Sequence, residues 1–212
     1  MLSLEEDPLV SPQDYELLVE PMYFKMGTTN QKECLIRRTV AEKLVKARSH
    51  LPNGHNFKIW DGFRKTATQK RLWDDLYKKL AQAHPGWDEK QLYAGVREFV
   101  APPTTDPLKA APHNTGGTVD LTLVDEPGQE LEMGTEFDHF DIEAHTFHFE
   151  KAGEGTEEAL FHQNRMILYR ALTQENFANY PEEWWHFSYG DIEWAKHYEK
   201  EILYPSAEGD FA

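Results

Sequence analysis

Apolar positions recur at helical spacing over residues 34–51. Ile36, Val40 and Leu44 form an i, i+4 stripe with Ala41 and Val45 beside it. Arg37, Arg38, Glu42, Lys43 and Lys46 cover the other face, which predicts a helix stopped by Pro52-Asn53-Gly54. Residues 57–61 predict a short strand with Phe57 and Ile59 on one face. Thr66 and Gln69 have capping-box spacing, opening a helix that carries Leu72, Trp73, Leu76 and Leu80. Pro85-Gly86 is a turn, and Asp88 is placed to cap a third helix bearing Leu92, Val96, Phe99 and Val100. Residues 119–124 give the clearest strand: Val119, Leu121 and Leu123 share one face while Asp120 and Thr122 point away. A helix over 156–173 carries Leu160, Asn164, Ile167, Leu168 and Ala171. The aromatic run 184–189 is β-prone, and Asp191 caps a last helix with Trp194, Ala195, Tyr198 and Ile202. Residues 1–30 are broken by Pro8, Pro12 and Pro21, with a candidate strand in 14–20. Residues 101–112 hold Pro102, Pro103, Pro107 and Pro112 and predict no regular element.

Helices and short strands alternate without βαβ regularity, so the expected class is α+β, with residues 1–212 as a single domain. Hydrophobic content of 40% suits a globular chain. Lys plus Arg total 22 against 37 Asp plus Glu, a net charge of -15, which argues against binding nucleic acid through its phosphates. Cys34 is the sole cysteine, so no intrachain disulfide forms; it reads as a small buried hydrophobe. The opening residues lack the basic start and apolar run of a signal peptide, and no apolar run reaches the ~18 residues of a membrane span. The expectation is a cytoplasmic protein with no membrane or nucleic-acid partner.

The chemistry concentrates in two stretches. One is Pro181-Glu182-Glu183-Trp184-Trp185-His186-Phe187, where a carboxylate and an imidazole sit three residues apart inside an aromatic block. Burying an unpaired charge there is costly, so Glu183 is either ion-paired or a base beside a cation. The other is His113-Asn114-Thr115-Gly116-Gly117-Thr118-Val119-Asp120. Together His113, Asp120 and His186 would make a three-ligand metal set, the number that leaves one position open in a catalytic zinc site; taken alone, the His113–Asp120 pair also reads as hydrogen-bonded structural core groups. In a strand, residues i and i+3 face opposite ways, so Glu183 and His186 share a site only if Glu183 lies in the bend after Pro181. From the residues alone, Glu183 also reads as a surface carboxylate, Arg64 as half of a structural ion pair, and Asp138 as an N-cap. His139, His145 and His148 read as a polar loop.

Four segments in order carry a resemblance: Ile59-Trp60-Asp61-Gly62-Phe63-Arg64, residues 113–123, Met133-Gly134-Thr135-Glu136-Phe137-Asp138, and Glu183-Trp184-Trp185-His186-Phe187. With them the chain resembles the D-alanyl-D-alanine dipeptidases, the VanX-type zinc metallopeptidases. The resemblance implies a small, mostly antiparallel central sheet flanked by helices, with the metal site over it, as in hedgehog and D,D-peptidase folds. It implies one Zn²⁺ per chain on His113, Asp120 and His186. Glu183 would be general base and then acid, Arg64 the oxyanion stabiliser, and Asp138 the acceptor of the dipeptide's ammonium group, with Asp141 a rival. The implied reaction is hydrolysis of D-Ala-D-Ala to two D-alanines. The alternative is a zinc D,D- or L,D-carboxypeptidase acting on longer cell-wall peptides. The chain departs from the family pattern at Ala111, Thr118 and Lys65, which bears on substrate contacts near the His113 loop.

Overall fold

The computed structural model describes residues 1–210. Strand β1 (Leu9–Val10) pairs antiparallel with β3 (Ile36–Arg37) as a small accessory sheet. The main sheet uses β2 (Leu18–Val19), β4 (Asn56–Asp61), β5 (Thr118–Val124), β6 (Ala178–Asn179) and β7 (His186–Ser188). Its spatial order is β2-β4-β5-β7-β6. Only the β2–β4 pair is parallel. The α+β class is therefore as the chain pattern predicts, and the mostly antiparallel sheet is as the resemblance implies. No described helix is long and apolar enough to cross a membrane.

Strand β5 is buried at every position. Val119, Leu121 and Leu123 join Val40 and Leu44 of α2 (Arg38–Arg48) and Leu168 and Leu172 of α5 (Glu157–Gln174) in one core cluster. Alternation sends Asp120 to the opposite face. A short α1 (Met22–Lys25) precedes β3, and α3 (Thr66–Ala83) packs against α4 (Glu89–Phe99) as a helical hairpin. The last helix is α6 (Ile192–His197). The candidate strand in 14–20 shrinks to β2, because Pro12–Tyr15 forms a 3₁₀ turn first.

Several boundaries differ from the pattern, each for a tertiary reason. The helix expected over 34–51 starts at Arg38, because Ile36–Arg37 pair with β1 instead. Cys34 is buried as expected, but in the segment before that strand. Thr66 and Gln69 form no capping box. Thr66 is the first helical residue, its N–H donates to Glu208 Oε2 from the far end of the chain, and Gln69 turns inward to Arg64 and the Ala101 carbonyl. Asp88 caps α4 as expected, in a full capping box with Gln91. On α5 the buried stripe runs through Asn164, Arg165, Leu168, Ala171 and Leu172, while Leu160 is exposed. The final helix stops at His197 and not near Ile202, since Glu199 at φ 53 reverses the chain so that Leu203 and Tyr204 bond back to Gly190.

Gly117 precedes β5 where two chain segments meet. A methyl group there would lie 2.3 Å from the Tyr189 carbonyl oxygen and 2.9 Å from the Tyr204 ring. Overpacking of this kind costs about 1–3 kcal/mol. In a chain of this size, where 1 kcal/mol shifts Tm by about 2–4 °C, Gly117→Ala should lower Tm by several degrees. Gly153→Ala, whose new methyl meets nothing nearer than 3.8 Å, should leave Tm nearly unchanged; equal shifts in a thermal melt would contradict this packing.

Candidate metal centre and cleft

Asp120 and His186 are directly opposed on β5 and β7. Opposed residues of antiparallel strands hold their Cβ atoms about 4.5–5.5 Å apart, so strand register alone brings this pair together. His186 Nδ1 lies 3.1 Å from Asp120 Oδ1. His113 comes from the 3₁₀ turn Pro112–Thr115, which ends at Gly116 with φ 72, a left-handed conformation that suits glycine. His113 Nε2 lies 3.3 Å from Asp120 Oδ2. One ligand atom from each of the three residues lies within 4.8 Å of the others, and all three residues are buried. The three predicted ligands thus converge, and His139, His145 and His148 form no such group among the described residues.

The cluster offers a donor set that could hold a cation. Asp120 Oδ1 is buried and accepts no hydrogen bond. Burial disfavours charge on Asp120, but the two facing imidazoles, His113 foremost, hold its carboxyl well below the usual carboxylate range. His113 Nδ1 lies 2.9 Å from the Gly62 carbonyl. The carbonyl only accepts, so Nδ1–H donates to it and Nε2 presents its lone pair to the cluster. Burial works against protonating His113, yet Asp120 opposite raises its pKa, so a proton competes for the place a metal ion would take.

Glu183 sits in the turn that enters β7, where the strand geometry requires it. Its carbonyl accepts from His186 N at 3.2 Å, and the Asn179 amide donates to the carbonyls of both Glu183 and His186 at 3.2 and 3.1 Å. Glu183 Oε2 is 3.4 Å from His186 Nδ1, beside the cluster and outside the ligand group. It is no surface carboxylate: burial pushes its carboxyl up to about 8, opposed by His186 and Arg64 and assisted by Asp120 and Asp138. A bound cation would shift it back towards the carboxylate.

A β-bulge between Ile59 and Asp61 brings Asp61 opposite Asp120. Arg64 follows at the bend. Its Nε and Nη2 donate to Asp61 Oδ2 at 3.0 and 2.7 Å, and Nη1 donates to Gln69 Oε1 at 2.9 Å. Nη2 is 3.9 Å from Asp120 Oδ2, and the guanidinium lies over the Tyr23 ring. Arg64 is therefore ion-paired and faces the cleft at once. Asp138 takes its one described hydrogen bond from the Tyr23 hydroxyl at 3.1 Å. Burial, then the nearby Asp120, pushes its carboxyl up to about 7. No Lys, Arg or His among the described residues lies within ion-pair distance of it. The N-cap role belongs to Asp141, which accepts from Ile142 N. One cavity of about 690 Å³ is lined by His113, Asp120, His186, Glu183, Arg64 and Asp138, within the ~300–1,000 Å³ of small-ligand sites.

The pattern along the chain missed Tyr23, Gln69 and Asn179. Tyr23 lies in a segment with no periodicity, and Gln69 passes for a helix cap. Asn179, two residues before Pro181, carries no local signal of its bracing role.

The profile of the peptidase M15 family, described as D-Ala-D-Ala dipeptidase, matches residues 22–203. The chain belongs to the D-Ala-D-Ala dipeptidase family. It is 26% identical to a D-alanyl-D-alanine dipeptidase of Synechocystis sp. over 77% of this chain and 72% of that one. It is 28% identical to the D-alanyl-D-alanine dipeptidase of Escherichia coli over 74% of this chain and 67% of the relative. Among solved structures it is similar to a vancomycin-resistance D,D-pentapeptidase, VanY, in complex with Zn(II). That likeness has a TM-score of 0.47 and 17% identity and covers 96% of this chain and 94% of the other.

If the cluster is a metal centre, equilibrium dialysis against Zn²⁺ should retain about one ion per chain. Asp120→Ala and His186→Ala should each lose most of it, as read by elemental analysis. Undiminished metal in both variants would show that the ion is held elsewhere.

Proposed function

We propose that this protein hydrolyses D-Ala-D-Ala to two D-alanines at a Zn²⁺ held by His113, Asp120 and His186. The observation that carries the reading is the placing of Glu183: a half-buried carboxylate beside a three-residue cluster but not part of it, on the wall of the same cavity. Two imidazoles and one carboxylate are a donor set that suits Zn²⁺, and the ion they would hold would supply the acidity for water and the polarisation of a carbonyl. Family membership and the dipeptidase names of the relatives support the substrate.

The side chains divide the work. Glu183 takes the proton of the attacking water and passes it to the leaving amine. Arg64, already oriented by Asp61 and Gln69, turns its remaining N–H groups to the oxygen on which negative charge develops. Asp138 receives the substrate's ammonium group, the cation that its half-buried carboxylate lacks. That contact selects a free amino terminus next to the scissile bond, which is what a dipeptide offers and a longer peptide does not.

One observation favours the second reading, a zinc carboxypeptidase for longer cell-wall peptides. The cavity continues past the cluster to Leu72, Leu76 and Lys79 on α3 and Arg97 on α4, leaving room for more chain. Comparing kcat/KM for D-Ala-D-Ala with that for a pentapeptide ending in D-Ala-D-Ala separates the two: the dipeptide reading requires a strong preference for the free dipeptide. Glu183→Gln should retain zinc and lose about 10²–10⁴ in kcat, the usual range for a general base. Near-normal turnover by the zinc-loaded variant would remove Glu183 from that role.

A further inference from the structure

Asp138 stands in the middle of a long irregular segment, residues 133–145. Its backbone is left-handed, at φ 59, a conformation uncommon outside glycine that persists where the surroundings hold it. Both ends of this segment are tied to α5. Arg165 is 1% exposed, and its guanidinium spends its donors on both ends of this segment. Nε donates to the Met133 carbonyl at 2.7 Å, Nη1 to the His145 carbonyl at 2.7 Å, and Nη2 to the Glu143 carbonyl at 2.9 Å. No carboxylate among the described residues pairs with it. Its flat faces meet the rings of Phe149 and Trp184, with centroids 4.8 and 5.7 Å away. Asn164, the preceding residue on α5, donates to the Glu132 carbonyl at 2.8 Å.

A buried guanidinium bound only to carbonyls gives up its hydration without the compensation of an opposite charge, which is costly. What it gains is geometric. Three N–H groups of one rigid plane fix the separation of Met133 from Glu143 and His145, and with it the arch that carries Asp138. Lysine cannot reproduce this, since its three donors radiate from a single nitrogen on a flexible stem.

We propose that Arg165 is a positioning residue for substrate recognition, clamping the 133–145 arch so that Asp138 meets the ammonium group of the dipeptide. This rests on the assignment of Asp138 given above.

The test compares D-Ala-D-Ala with N-propionyl-D-alanine, which replaces the ammonium by hydrogen and keeps the scissile amide. The binding of each is measured as KM or as a competitive Ki on the zinc-loaded enzyme. The unaltered enzyme should prefer D-Ala-D-Ala by tenfold or more, on the scale of a hydrogen bond to a charged group. Asp138→Asn should lose most of that preference. Arg165→Lys should lose a comparable part, while propionyl-D-alanine binding stays within about twofold, and the double variant should fall no further than Asp138→Asn alone. If Arg165→Lys does not accumulate as a folded protein, Arg165→Gln, which keeps two donors and carries no charge, serves in its place. A preference that survives in the Arg165 variant, with both ligands weakened in parallel, would make the residue merely structural and overturn the proposal. A preference that survives in Asp138→Asn would instead defeat the assignment of Asp138, and the proposal with it.

Discussion

The site depends on one buried charge. Asp120 occupies the central strand of the sheet, on the side away from the apolar layer, with its carboxylate between two imidazoles. Removing a carboxylate from water costs several kcal/mol or more unless opposite charge and hydrogen bonds return it. Protonated imidazole answers that demand in part; a divalent ion answers it more fully and also satisfies the oxygen that accepts no hydrogen bond. The geometry that creates the demand is simple. Strand register fixes Asp120 against His186, and the glycine turn before β5 returns His113 to the same carboxylate.

Around this charge the chain places supporting groups. The Gly62 carbonyl sets the tautomer of His113. Asp61, brought opposite Asp120 by a bulge, fixes the guanidinium of Arg64. Arg37, fully buried, donates from Nε to the Thr115 carbonyl at 2.9 Å and from Nη1 to the Asp7 carbonyl at 2.9 Å, which ties the amino-terminal segment to the back of the His113 turn. Asn179 braces the turn shared by Glu183 and His186. Each side chain of the proposed site thus stands on a strand or on a segment braced by a polar group, the arrangement expected where small displacements are expensive for chemistry.

How far this was legible in the sequence depends on the range of the interaction. Local signals served well. The alternation around Asp120 gave its strand and its facing, Asp88 and Asp191 gave two helix starts, and the bend after Pro181 gave the position Glu183 must occupy. The clustering of His113, Asp120 and His186 became readable through the resemblance, because three residues spread from 113 to 186 leave no periodic trace. Long-range pairing overrode local pattern elsewhere. Ile36–Arg37 left a helix stripe to pair with β1, Gln69 abandoned a cap for Arg64, and Arg165 is buried on α5 while Leu160 is exposed. Those exceptions concern residues that brace the cleft. Local preference gives way there because a buried polar group must find its partners wherever they lie.

The claim on which the rest turns is that Asp120 and the two histidines bind one ion directly. X-ray absorption at the zinc edge of the loaded protein reads that ligand shell. The account predicts two imidazole rings with nitrogen at about 2.0–2.1 Å and oxygen ligands completing a four-coordinate shell. A six-coordinate shell of oxygen alone, without imidazole scattering, would contradict it.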